Sequence, residues 1–116
     1  MQARPAPDLD VHDHVVTVDE EGAVAAAAAV FRLLADPTRL SLLWHLREGE
    51  RSVNELARLV DRPPPAVSQH LAKLRLSQLV STRRSGTMVH YSLLSSHVGR
   101  LVVDALSHAQ HVEGPA

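Results

Sequence analysis

Ser52-Val-Asn-Glu-Leu-Ala-Arg-Leu-Val-Asp-Arg-Pro-Pro-Pro-Ala-Val-Ser-Gln-His-Leu-Ala-Lys-Leu-Arg-Leu-Ser77 is the stretch that decides the fold. Ser52 followed three residues later by Glu55 is a capping box, the signature of a helix start. It predicts a short helix over about Val53–Val60 with Leu56, Leu59 and Val60 turned inward. Asp61 to Pro65 cannot continue that helix, because proline lacks the N–H donor and restricts the residue before it. A second helix is predicted from Pro64 to Ser77, with proline tolerated at its first position. Val67, Leu71, Leu74 and Leu76 give it an inward side, and Ser68, Gln69, His70, Lys73 and Arg75 a polar one. Two short helices joined by a tight turn, the second with a polar outer face, describe a helix-turn-helix.

Downstream the period changes. Val80 and Thr82, then Val89, Tyr91 and Leu93, alternate at period two. Arg83-Arg84-Ser85-Gly86-Thr87 lies between them, and Ser85-Gly86 reads as the turn of a two-stranded ribbon with a basic tip. Upstream, Asp36-Pro37 is an N-cap with proline at the first helical position, and Leu40, Leu43, Trp44 and Leu46 stripe the helix that ends near Gly49. Before it, the acids at 19–21 and the alanines at 25–29 predict a helix from about Asp19 to Leu34. The expected fold is therefore mainly α, a winged helix-turn-helix of order α-α-α-α-β-β-α. Residues 1–16, with Asp8, Asp10, His12, Asp13 and His14, read as a flexible arm, residues 17–112 as the domain and 113–116 as a tail.

These elements carry a DNA-binding expectation. The polar side of the fourth helix can enter a B-DNA major groove about 12 Å wide. Ser68, Gln69 and His70 can reach base edges or phosphates, and Gln suits adenine N6 and N7. Lys73 and Arg75 suit phosphates, and Arg83, Arg84 and Thr87 place the wing on the backbone or in the minor groove.

Composition agrees. A chain of 116 residues fits one small domain, and 45% hydrophobic content with 3% aromatics builds its core from Leu, Val and Ala. The net charge of −1 conceals an asymmetry. Residues 1–30 carry six acids and one base, residues 31–100 eleven bases and five acids, and residues 101–116 two acids. A basic middle between acidic ends suits a module that binds a polyanion. No cysteine is present, so disulfides, thiolate metal sites and a cysteine nucleophile are excluded. No glycine-rich nucleotide loop and no nucleophile–base arrangement stands out, which argues against an enzyme. No run of 18 apolar residues offers a membrane span, and acids rather than bases precede Val24–Val30, so a cytoplasmic location is expected.

A last helix is predicted from Ser96, with Ser95 or Ser96 as its cap, to about Gln110. Val98, Leu101, Val102, Ala105 and Leu106 form an apolar face that needs a partner. His108 and His111 are three apart and share a face, whereas His97 lies eleven residues before His108, about 16 Å along the axis. One ion with Zn–N bonds of about 2.1 Å cannot touch all three within one chain. Two such helices packed antiparallel bring His97 of one to His108 and His111 of the other, which predicts a homodimer with metal sites across its interface. The same spacing also suits exposed histidines that hold no metal. His45 is expected to pack beside Trp44, His70 to belong to the DNA-facing helix and His90 to face solvent.

Phe31-Arg-Leu-Leu-Ala-Asp-Pro-Thr-Arg-Leu40, Ser52-Val-Asn-Glu-Leu-Ala57, Val67-Ser-Gln-His-Leu-Ala-Lys-Leu74 and the wing ending Val89-His-Tyr-Ser-Leu93 together resemble the ArsR/SmtB family of metal-responsive repressors. The resemblance covers roughly residues 30–112. It implies a homodimer that holds operator DNA when metal-free and releases it when metal binds. The tail from His97 to His111 is similar to the branch with its site on the last helix, nearest to nickel and cobalt sensors and next to zinc sensors. That site pairs Asp-x-His near the helix start with His-x-x-His or His-x-x-Glu near its end. His97, His108 and His111 match it, whereas Ser95 stands where the aspartate is expected. Asp104, Gln110, His12 and His14 are the candidates to complete the donor set, and imidazole-rich sites suit Ni(II) and Co(II), favoured here, as well as Zn(II). The family's other site uses paired cysteines on the third helix. The matching Glu55-Leu-Ala-Arg-Leu59 has none, which excludes soft-metal sensing there. Ser95 also keeps open a regulator of the same family with no metal effector.

Overall fold

The computed structural model describes residues 19–113. The elements run α1 (Glu20–Leu34), α2 (Pro37–Leu46), β1 (Arg51–Ser52), α3 (Val53–Val60), α4 (Pro64–Leu76), β2 (Val80–Ser85), β3 (Met88–Leu93) and α5 (Ser96–Glu113). This is the winged helix-turn-helix expected from the sequence, with one strand more. Arg51 and Ser52 pair antiparallel with Tyr91 and His90, so the wing is a three-stranded sheet of order β1-β3-β2. A two-residue strand is too short to show a period of two. The last helix also runs further than expected, to Glu113.

The chain divides after Phe31 into two compact units. In the first, α1 starts with Asp19 accepting the Gly22 N–H at 2.6 Å, and the acids Glu20 and Glu21 face the positive end of the helix dipole. Val24 and Phe31 on this helix are 62% and 57% exposed.

The second unit holds the helix-turn-helix and wing. Asp36 caps α2 by accepting the Arg39 N–H at 3.0 Å. The capping box of α3 is complete. Ser52 Oγ accepts the Glu55 N–H at 3.2 Å, and Glu55 Oε1 accepts the Ser52 N–H at 2.8 Å. Asp61 ends α3 in the left-handed region at φ 56°, and Pro63 opens α4 with no side-chain cap. That is affordable because Pro64 and Pro65 have no N–H to satisfy. At the other end of α4, Gln78 adopts φ 63°. Its N–H donates to Arg75 O, and the Leu79 N–H donates to Leu74 O, both at 2.9 Å. This is a Schellman stop, and it seals the turn with buried Leu74 and Leu79.

Leu42, Leu43, Leu56, Val67, Leu71, Leu74, Val80 and Val102 are fully buried and tie α2, α3, α4, β2 and α5 into one core. Two side chains expected inside are outside. Leu76 is 86% exposed, because it falls on the outer side of α4 in its last turn, and Leu59 is 44% exposed while Ala57 takes the inward position. The hairpin turn is also shifted by one residue. Ser85 is still paired, with Met88, so the loop is Gly86-Thr87, and Gly86 takes the positive φ of 64° that such turns demand.

Candidate functional site

Two surfaces gather the residues singled out by the sequence. The first is the outer face of α4 with the wing. Ser68, Gln69, Lys73 and Arg75 are exposed, as the polar side of the helix requires. Ala72 and Leu76 share that exposed face, so it presents short and apolar groups between the polar ones. His70 is different. It is half-buried at the flank nearest α2, where Arg39 Nη1 lies 3.3 Å from its Nδ1. Arg39 is itself held. Its Nε donates to Leu33 O at 2.9 Å, and its Nη1 stands 3.9 Å from an Asp36 carboxylate oxygen. The Asp36 carboxyl is held below its usual range, first by the hydrogen bond from the Arg39 backbone, which outweighs the opposing effect of desolvation, with a lesser contribution from the Arg39 charge. Arg39 was not assigned a role from the sequence, although it lies in the motif Asp36-Pro-Thr-Arg39.

On the wing, Arg84 and Thr87 are exposed, but Arg83 is engaged. Its Nε donates to Glu50 Oε2 at 2.9 Å and its Nη2 to Glu50 Oε1 at 2.8 Å, a bidentate pair. The pair lowers the Glu50 carboxyl below its ordinary value and raises the Arg83 guanidinium. Glu50 reaches Arg83 because β1 joins the sheet on the far side of β3, so this partner was invisible without that strand. Among the described residues Arg84 makes no ion pair, and it is the unencumbered cation of the wing tip.

The second surface is one stripe of α5. His97, Asp104, His108 and His111 are all exposed. At about 100° per residue they fall within roughly 60° of the helix circumference. The stripe lies away from Val98 and Val102, which face the core. Leu101 and Leu106 are half-buried and Ala105 is exposed, so the apolar face is only partly covered within one chain. Among the described residues no three potential ligands gather at one point in a single chain. Ser95 is half-buried just before the helix. His12 and His14 lie outside the described residues. His45 and His90 are both half-buried, and the His45 carbonyl accepts a bond from Arg51 Nε at 3.3 Å.

Three imidazoles with a carboxylate between them are a donor set that suits a divalent transition metal of the nickel, cobalt and zinc group. No helix among the described residues is long and apolar enough to cross a membrane.

Comparison with known proteins identifies the family of the fold. Residues 34–83 match the model of a helix-turn-helix domain family. The chain is 50% identical over 115 residues to the HTH-type transcriptional regulator KmtR of Mycobacterium tuberculosis, covering 99% of this chain and 81% of that one. It is 42% identical over 84 residues to the HTH-type transcriptional repressor SmtB of the same species, covering 72% of this chain and 62% of that one. Among solved structures it is similar to the homodimeric winged helix-turn-helix domain Mb0332 of Mycobacterium bovis, described as a possible ArsR-family regulator. The TM-score is 0.72 at 28% identity, covering 89% of this chain and 97% of that one.

Proposed function

Because the chain belongs to the ArsR/SmtB family of metal-responsive, DNA-binding transcriptional repressors, we propose that it is a homodimeric sensor of Ni(II) or Co(II), and less of Zn(II), in the cytoplasm. The observation that carries the proposal is the α5 stripe, where His97, Asp104, His108 and His111 share one exposed face without meeting in one chain. An antiparallel pairing of two such helices puts His97 of each beside His108 and His111 of the other. Asp104 supplies the carboxylate that Ser95 cannot. Exposed Val24 and Phe31 of α1 give the dimer apolar surface to bury. In this reading Ser68, Gln69, Lys73 and Arg75 face the major groove and Arg84 and Thr87 the flanking backbone. Bound metal fixes the geometry of the paired α5 helices, and the dimer population shifts towards one whose two α4 helices no longer match successive grooves, about 34–36 Å apart.

Titrating nickel, cobalt or zinc into the DNA-bound dimer tests the reading. Release by nickel or cobalt at lower concentration than by zinc is the expected result, and unchanged DNA affinity with all three metals overturns it. His97→Ala is expected to bind DNA as wild type does and to lose the metal response. The absorption spectrum of the cobalt form tests the donor set, since four- and six-coordinate cobalt absorb differently.

Ser95 favours a second reading, a regulator of the same family that binds DNA but has no metal effector. Equilibrium dialysis of the dimer against nickel separates the two.

A further inference from the structure

We propose that Arg39 is a positioning residue of the DNA-binding surface, holding the His70 ring in its Nε2–H form so that the flank of α4 offers DNA a fixed donor to a backbone phosphate. The inference rests on the reading of α4 as the DNA-facing helix. A guanidinium has five N–H donors and no acceptor. At 3.3 Å from Arg39 Nη1, His70 Nδ1 must therefore be the acceptor, and in the neutral ring the single proton then sits on Nε2. Arg39 cannot swing away at little cost, because Leu33 O takes its Nε and Asp36 lies beside its Nη1. Its side chain is only 13% exposed. The charged and titratable groups described around the ring are Arg39 and Asp36 from the α1–α2 junction and Lys73 from α4 itself.

Position decides what the donor meets. Ser68, Gln69 and Lys73 lie on the exposed face of α4, whereas His70 lies at its side, half-buried next to α2. The middle of a helix in the major groove faces base edges, and its flanks face the walls, which are phosphate. A ring fixed as a donor suits phosphate oxygens and cannot accept from adenine or cytosine amino groups. His70 is thus assigned to positioning on the backbone and removed from base readout. The chain Leu33 O–Arg39–His70 also links the end of α1 directly to the DNA-facing helix.

The full-length 15N-labelled dimer at pH 8 provides the test, through long-range 1H–15N correlation of imidazole nitrogens, with His70 identified by its loss in His70→Gln. The expected wild-type spectrum shows Nε2 protonated and Nδ1 bare. Arg39→Met is expected to give a mixture of tautomers, and Arg39→Lys to restore the wild-type pattern, a rescue that loss of packing alone does not give. A predominant Nδ1–H form in wild type, or a spectrum unchanged in Arg39→Met, overturns the proposal; the wild-type measurement stands even if that variant folds poorly. With a random-sequence 30-base-pair duplex at low salt, His70→Ala and Arg39→Met are each expected to weaken binding about tenfold, the scale of one hydrogen bond to a charged group. The double variant is expected to be no weaker than the poorer single one. Wild-type affinity in His70→Ala, where the wild-type spectrum shows the Nε2–H form, overturns the phosphate assignment. Failure of the wild type to bind any duplex removes instead the DNA-facing reading of α4.

Discussion

Glu50 restrains the wing one side chain at a time. Its bidentate hold on Arg83 competes with any phosphate for the same guanidinium donors. Glu50→Gln weakens that hold without removing the side chain. It is expected to raise affinity for duplex DNA several-fold and to steepen the dependence on salt by close to one phosphate contact, read by fluorescence anisotropy across a salt series. The same carboxylates shape the response to acid. Asp36, Glu50 and Glu55 all have pKa values lowered in the folded chain, chiefly by hydrogen bonds from Arg39 N–H, Arg83 and Ser52 N–H in turn. A lowered carboxyl binds its proton more weakly folded than unfolded, so its contribution is present above the usual carboxylate range and is lost as pH falls through and below it. Denaturant midpoints are therefore expected to decline below that range, with a shallower decline in Glu55→Gln and Asp36→Asn.

At the scale of elements, two starts and one turn carry local specification. Replacing the α2 cap in Asp36→Ala, or the α3 cap in Ser52→Ala, is expected to cost about 1 kcal/mol in equilibrium unfolding. Gly86 has open space around the position of a Cβ, so its constraint is the backbone alone at φ 64°. Gly86→Val is expected to cost on the order of 1–2 kcal/mol and Gly86→Asn distinctly less. The caps, the proline break and the alternation of the wing are local signals, and the helices of the sequence reading match those of the structure to within a few residues. What sequence alone left out is nonlocal. Strand β1 exists because β3 is there to pair with, and Leu76 is exposed because it falls on the side of α4 opposite buried Val67 and Leu74. Arg39 and Glu50 stand in plain view in the chain, but their partners His70 and Arg83 lie 31 and 33 residues away. The α5 stripe, by contrast, was legible from the spacing of its histidines, because all four of its members lie on one helix.

For the whole molecule the proposed coupling of metal and DNA binding has a thermodynamic consequence. If metal weakens DNA binding by some factor, DNA weakens metal binding by the same factor. Isothermal titration of nickel into the free and the DNA-bound protein is expected to give dissociation constants whose ratio equals the ratio of DNA affinities with and without nickel. Unequal ratios would break the two-state picture of the repressor.

Ser52 belongs at once to the sheet, through its pairing with His90, and to α3, through the capping box. The wing and the helix-turn-helix are thus two ends of one tool with a common rivet. Neither can be re-aimed without the other, and new lengths of chain are best accommodated at the Gly86-Thr87 tip, beyond the last strand pair. Exchanging the tip is then a means of altering grip on flanking DNA while sparing the pitch of the reading helix, whereas a graft that cuts between Arg51 and Ser52 should leave both parts loose.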